Sequence, residues 1–218
     1  MTEEHALDGY LNINEFSNAL DYLRKGQYFL SQFDDPFRWK WLTLCLSSAL
    51  YGFMIAALGV SNYGAVVKYK KKDERKLEEL SRQANDQAYM NGLKIKKRCR
   101  HARDIRLIKF KDALNLVQDA RWMGKYTFSK QITLSREQHD QVLKLRSQFR
   151  NYFEHYLPKV WVIEEGVFIP LLCTTADTIE KLFSSGNLYI RRELPEARQV
   201  LVEVKELLQE NERRLRRS

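Results

Sequence analysis

Cysteine is scarce in this chain. Cys45, Cys99 and Cys173 are the three among 218 residues, far apart and without CxxC or Cys/His ligand spacing. That pattern indicates neither a disulfide framework nor a zinc site, and it fits a reducing, intracellular setting. The first residues, MTEEHALDGY, are acidic and polar, so no signal peptide is visible and a cytoplasmic protein is expected. Internal repeats and low-complexity linkers are lacking too. Negative charge is in short supply: 28 Asp and Glu stand against 37 Lys and Arg, for a net charge of +9 and a pI near 9.4. The imbalance favours a polyanionic partner, either nucleic acid or an acidic membrane surface, and says nothing about fold. A hydrophobic share of 44% with 30% charged residues argues against global disorder. One substantial core, and therefore one domain over 1–218, accounts for the length.

Apolar spacing marks out helices. Asn14 can cap a first helix in which Phe16, Leu20, Leu23 and Leu30 keep helical register, ending near Phe33 before the turn-like Asp34-Asp35-Pro36. From Trp41 to Val67 no residue is charged, and Leu42 to Val60 is long enough to span a bilayer. Arg38 to Trp41 and Lys68 to Lys72 even resemble interfacial anchors. Ser47, Ser48, Tyr51 and Gly52 interrupt the run, and a central helix buried on all sides is equally apolar all round, which is the reading preferred here. Residues 62–103 form a basic insertion, read as a helical hairpin. Within it Lys94, Lys96, Lys97, Arg98, Arg100 and Arg103 have no acidic neighbour until Asp104, as a phosphate-contacting patch would require. Such contacts position RNA without reading its sequence.

Leu107, Phe110, Leu114 and Val117 predict another helix, broken around Gly124, followed by a short basic connection from Lys125 to Thr133. Val160 to Ile169 reads as extended. Pro170 can sit in the first turn of a helix carrying Leu171, Thr175, Ile179 and Leu182, and a last helix opens near Pro195 and ends in Arg213, Arg214, Arg216 and Arg217, cations that complement its dipole. About six helices and no convincing strand make an all-α bundle.

The stretch that organises the rest runs from Ser135 to Glu164. Ser135 with Gln138 is a capping-box start and Pro158 a stop, so a long helix lies between them. Val142, Leu145, Phe149, Tyr152, Phe153 and Tyr156 gather on one core-facing stripe. Arg150, Asn151 and His155 fall off it: Asn151 and His155 share a face, while Arg150 lies roughly 140° round from His155, on the far flank of the non-core surface.

Arg-Asn, three residues, then His resembles the motif of the HEPN superfamily, an Arg followed four to six residues later by His. Pro158, Trp161, Ile163 and Glu164 look like the continuation seen in HEPN relatives, as does the apolar helix with Trp39, Lys40, Trp41, Ala49, Leu50, Gly52 and Phe53. The resemblance covers about half the chain in two blocks, with the middle block unlike either. It implies a HEPN-like helical bundle with a basic helical insertion, and a homodimer through the 135–157 helix with the motifs at a shared cleft. The implied activity is a metal-independent endoribonuclease in a toxin or defence role, with Arg150, Asn151 and His155 catalytic and no cofactor. Two residues after His155, where HEPN toxins silenced by a partner nucleotidyltransferase carry the modified tyrosine, stands Leu157; the tyrosine here is adjacent, Tyr156. Another antitoxin or protein regulator, or none, is then expected.

The chemistry of the residues agrees with that implication. Cutting RNA without metal requires the 2′-OH to lose a proton, the phosphorane charge to be neutralised and the 5′-oxygen to be protonated; imidazole and guanidinium supply these functions. Two copies of the helix across a two-fold axis would bring the separated groups opposite one another. The competing account pairs Arg150 with Glu154 and leaves Asn151 and His155 as surface groups. A non-catalytic module binding RNA or nucleotides, and a small membrane-associated protein, stand as the alternatives.

Overall fold

The computed structural model describes residues 13–61, 66–69, 105–124, 126–154 and 163–217. Among them every regular element is helical except for one short ribbon. In order they form α1 (Glu15–Ser31), α2 (Arg38–Ser61), β1 (Val67–Tyr69), β2 (Ile105–Leu107), α3 (Phe110–Leu116), α4 (Ala120–Met123), α5 (Arg136–Lys144), a π-helical stretch (Leu145–Arg150), α6 (Asn151–Glu154), a 3₁₀ turn (Glu165–Val167), α7 (Phe168–Phe183) and α8 (Leu194–Leu215).

Asn14 caps α1 as expected: its side chain accepts from the Phe16 and Ser17 amides at 2.9 and 2.8 Å, and Ser17 Oγ accepts from the Asn14 amide at 3.0 Å. Phe16, Leu20, Leu23 and Leu30 are all buried. α2 is the axis of the molecule. It packs along α1 on one side and against α7, α3 and the π-stretch on the others. Arg38–Gly59 is long and apolar enough to cross a membrane, yet 72% of its most apolar window is buried against the rest of the protein, as the buried-helix reading expects. Phe53 lies at its centre, edge-on to Phe16 at 5.1 Å and to Phe183 at 4.8 Å.

Two glycines face the seam between α1 and α2, and only one of them is required by the close approach. A Cβ on Gly52 would stand 2.7 Å from Ala19 Cβ and 3.2 Å from the Glu15 carbonyl oxygen, a clash with backbone that cannot step aside. A Cβ on Gly26 would meet Cys45 and Leu42 at an ordinary 3.5 Å. Gly52→Ala is therefore expected to destabilise by about 1–2 kcal/mol, overpacking outweighing the better helix propensity of alanine. Gly26→Ala should be neutral or stabilising by up to about 1 kcal/mol. Denaturant unfolding of the two variants side by side checks both.

Three expectations are corrected. The all-α class holds among the described residues, and the expectation of no strand is corrected only by a short ribbon in which Val67, Lys68 and Tyr69 pair antiparallel with Leu107, Arg106 and Ile105. Three residues are too few for a period of two to show in a sequence. Leu107 accordingly belongs to the ribbon, exposed, and the next helix starts at Phe110. The ribbon pairs Val67–Tyr69, inside the basic insertion, with Ile105–Leu107 just after it; residues 62–65 and 70–103 of the insertion, the patch from Lys94 to Arg103 included, lie outside the described residues. Finally, Glu165 to Ile169 is helical rather than extended: Phe168, Ile169 and Leu171 turn together into the core at the start of α7.

The C-terminal half follows the reading closely. Leu171, Thr175, Ile179 and Leu182 of α7 and Val200, Leu201, Val204 and Leu208 of α8 are buried. Gly186, at φ +86°, makes the turn between them, where it lies against Phe128. The connection after α4, anticipated as basic, is held by aromatic rings: Tyr126 stacks on Phe128 at 5.4 Å, and Tyr189 meets both edge-on. Of the terminal arginines, Arg214 and Arg216 pair with Glu210 and Glu212 one turn back, both at 2.6 Å.

Candidate functional site

Ser135 opens the central helix with the capping box that its sequence predicts: Ser135 Oγ accepts from the Gln138 amide and Gln138 Oε1 accepts from the Ser135 amide, each at 3.1 Å. Val142 and Leu145 then face the core. From Leu145 to Arg150 the winding changes to π, with hydrogen bonds reaching one residue further than in an α-helix. A π-turn advances fewer degrees per residue, so everything beyond Leu145 is rotated back relative to uniform α winding. That rotation corrects two positions. Tyr152, expected on the core stripe, is exposed, and Arg150, expected on the far flank, is half-buried with 20% of its side chain accessible. Phe149 and Phe153 stay on the packed side, their rings 4.9 and 6.2 Å from Phe168, which in turn stacks on Trp39 at 6.0 Å. Tyr156 and Pro158 are outside the described residues, and so is His155.

The aromatic cluster moors this end of the helix to the beginnings of α2 and α7. Arg38 lies over the Trp39 ring, its guanidinium 5.1 Å from the centroid, and pairs with Glu165 at 2.8 Å. A groove of about 670 Å³ runs further N-terminally between α5 and the start of α7, past Glu137, Asp140, Lys144 and Pro170. Arg150 is not among its lining residues.

Around Arg150 the groups are charged. Its Nη1 contacts the Glu154 carboxylate one turn on and donates to Asn151 Oδ1 at 3.3 Å, while Asn151 Nδ2 donates back to the Ser147 carbonyl at 3.2 Å. Its Nε is buried without an acceptor among the described residues. The Arg150–Glu154 pair is the one the competing account anticipates, and it coexists with an unsatisfied donor on the same guanidinium.

One turn earlier stands a residue that the motif does not mark. Arg146 lies against a pair of adjacent aromatic rings, its guanidinium carbon 5.6 Å from the Tyr51 centroid and 5.2 Å from that of Phe110, with Nη1 3.4 Å from Ser47 Oγ; the two rings are 5.9 Å apart and tilted to each other. Tyr51 is itself fixed by donating its hydroxyl to the Ile108 carbonyl. Burial lowers the pKa of Arg146 below the ordinary guanidinium value and the neighbouring Arg150 lowers it further, with Glu154 and Tyr51 opposing. Burial likewise raises the Tyr51 phenol, Arg146 opposing. The only advance sign of Arg146 was its four-residue spacing from Arg150, which on a helix puts both on neighbouring turns.

His139, which the motif leaves unused, lies with Nε2 3.2 Å from Asn115 Oδ1, a polar contact between α5 and α3. The thiols of Cys45 and Cys173 are free, and burial raises each to about 11, which makes them poor nucleophiles. Comparison of the chain with protein-family models, with curated proteins and with solved structures found no match.

Proposed function

We propose that this protein is a metal-independent endoribonuclease of the HEPN type. It acts as a cytoplasmic homodimer in a toxin or defence role, with Arg150, Asn151 and His155 of two facing central helices forming one site. In that reaction the ribose 2′-oxygen attacks the adjacent phosphorus, forming the O2′–P bond as the P–O5′ bond breaks. His155 handles the proton taken from the 2′-OH or returned to the 5′-oxygen, and the guanidinium of Arg150 neutralises the phosphorane oxygens. The products are a 2′,3′-cyclic phosphate and a 5′-hydroxyl.

The observation that carries this reading is the π-turn ending at Arg150. Such turns within α-helices occur frequently at functional sites, because they cost regular hydrogen bonding and persist where a side chain must be re-aimed. Here the turn takes a guanidinium off the solvent face, half-buries it and leaves its Nε without an acceptor among the described residues. The dimer is supported by the outer surface of the same helix, where Arg136, Glu137, Asp140, Lys144 and Gln148 stay exposed with both charge signs interspersed. A mixed surface of that kind can meet its own copy across a two-fold axis. The test is digestion of end-labelled RNA by purified protein in EDTA. Products ending in 2′,3′-cyclic phosphate are expected; products that appear only on addition of Mg²⁺ contradict the proposal.

A second reading draws on the Arg150–Glu154 contact, which occupies one edge of the guanidinium. It makes the protein a non-catalytic module of the same fold that binds RNA or nucleotides, with Lys94, Lys96, Lys97, Arg98, Arg100 and Arg103 as backbone contacts. Filter binding that weakens steeply with salt, without any product, would distinguish it.

A further inference from the structure

Arg146 and Arg150 are two partly buried guanidiniums on successive turns of one helix, and the Glu154 carboxylate that contacts Arg150 reaches Arg146 only through its field. No ion-pair partner of Arg146 is found among the described residues; its neighbours are two ring faces and a hydroxyl. A half-buried cation of this kind is held in place by contacts that carry no opposite charge among the described residues. Aromatic faces and the Ser47 hydroxyl fix the plane of the guanidinium, and burial removes the water that would otherwise screen it. Next to it, Arg150 keeps an unused Nε. Among the described residues Glu154 is the one carboxylate in contact with either guanidinium.

We propose that Arg146 and Arg150 together form a binding site for a phosphodiester oxyanion of nucleic acid, in which Arg146 is the fixed half and Arg150 exchanges Glu154 for the phosphate. Guanidinium suits this role because its donors match phosphate oxygens two at a time. Tyr51 and Phe110 pre-set Arg146, so little side-chain freedom is lost on binding. Glu154, exposed and one turn away, acts as a built-in competitor that occupies Arg150 when no phosphate is present. The inference rests on the nucleic-acid part of the proposed function. It makes Arg146 a positioning residue for the scissile or an adjoining phosphate, outside the Arg150, Asn151 and His155 set.

The probe that separates this inference from the catalytic proposal is a single-stranded DNA oligonucleotide, which lacks the 2′-OH and cannot be cut by that chemistry. Arg146→Met, which keeps an apolar stem beside the rings, is expected to weaken oligonucleotide binding about tenfold and to reduce the salt slope by about one. Arg216→Met, in an exposed i,i+4 pair at the end of α8, serves as the control for loss of one positive charge and should have a smaller effect. Glu154→Gln should tighten binding severalfold, and by more than Glu210→Gln, the control for loss of one negative charge from an i,i+4 pair. A folded Arg146→Met protein that binds no worse than Arg216→Met overturns the inference, as does Glu154→Gln binding no tighter than Glu210→Gln. Inorganic phosphate titrated in parallel identifies the source of the anion: if the variants alter its binding and leave the oligonucleotide untouched, the phosphodiester assignment is wrong. Selective loss in Arg146→Met supports the inference even if wild-type protein never cuts RNA. Undisturbed binding by that variant, alongside active cleavage by the wild type, removes this inference alone.

Discussion

Replacing Arg150 with alanine is expected to abolish RNA cleavage while leaving the protein folded. The two halves of that result have different physical origins. In the folded chain the side chain makes one intrahelical contact with Glu154 and one hydrogen bond to its neighbour Asn151. An i,i+4 pair contributes about 0.3–0.5 kcal/mol, so its loss should barely move the unfolding midpoint. In the proposed transition state the same guanidinium faces charge that develops only as the phosphorane forms. Removing a donor placed for such charge costs about 10²–10³ in rate. His155→Ala should lose a comparable or larger factor, about 10²–10⁴, because proton transfer in both directions passes through that ring. Initial rates with labelled RNA, taken beside thermal melts of each variant, separate the two effects. A variant that melts early and cuts slowly in proportion would assign Arg150 a structural role.

The largest loss of stability is expected from Phe53→Ala. Phe53 is fully buried at the middle of α2 and meets Phe16 of α1 and Phe183 of α7 in edge-to-face contact. It is therefore the ring through which three helices are joined. Truncation removes the transfer free energy of the ring and leaves a cavity that rigid helices cannot close, for a cost of about 3–5 kcal/mol. For a chain of this size that corresponds to a fall of roughly 6–20 °C in melting temperature. The same measurement bears on the apolar run itself. If α2 lay in a bilayer rather than inside a bundle, loss of one ring would not uncouple α1 from α7. A Phe53→Ala protein with an unchanged melt would contradict the packing described for α2.

Much of this architecture could be read from particular residues. Asn14 and Ser135 announced helix starts because a short oxygen-bearing side chain before an apolar period satisfies amides that the helix cannot. Pro170 and Pro195 marked first turns because a missing N–H costs nothing there. The charge-free run of α2 was ambiguous in sequence, since lipid and protein interior select the same residues; packing against α1 and α7 settles which surfaces cover it within the chain.

What the sequence could not display was a change of winding. Leu-Arg-Ser-Gln-Phe-Arg contains no glycine or proline to mark the π-turn, and its apolar pair suits either pitch. Uniform α winding therefore placed Tyr152 inward and Arg150 outward, the reverse of what is found. Arg146 was passed over for a related reason. A cation one turn before a motif reads as a solvated surface group until Tyr51 and Phe110, each distant in sequence, are seen to lie against it.

The most direct test of the central claim is cleavage of a labelled RNA in EDTA by wild-type protein and by His155→Ala in parallel, with both preparations shown to be folded. The account predicts fragments ending in 2′,3′-cyclic phosphate from the wild type and none above background from the variant. Equal cutting by the two would show that the activity resides elsewhere, and absence of cutting by the wild type would leave the chain without the proposed reaction.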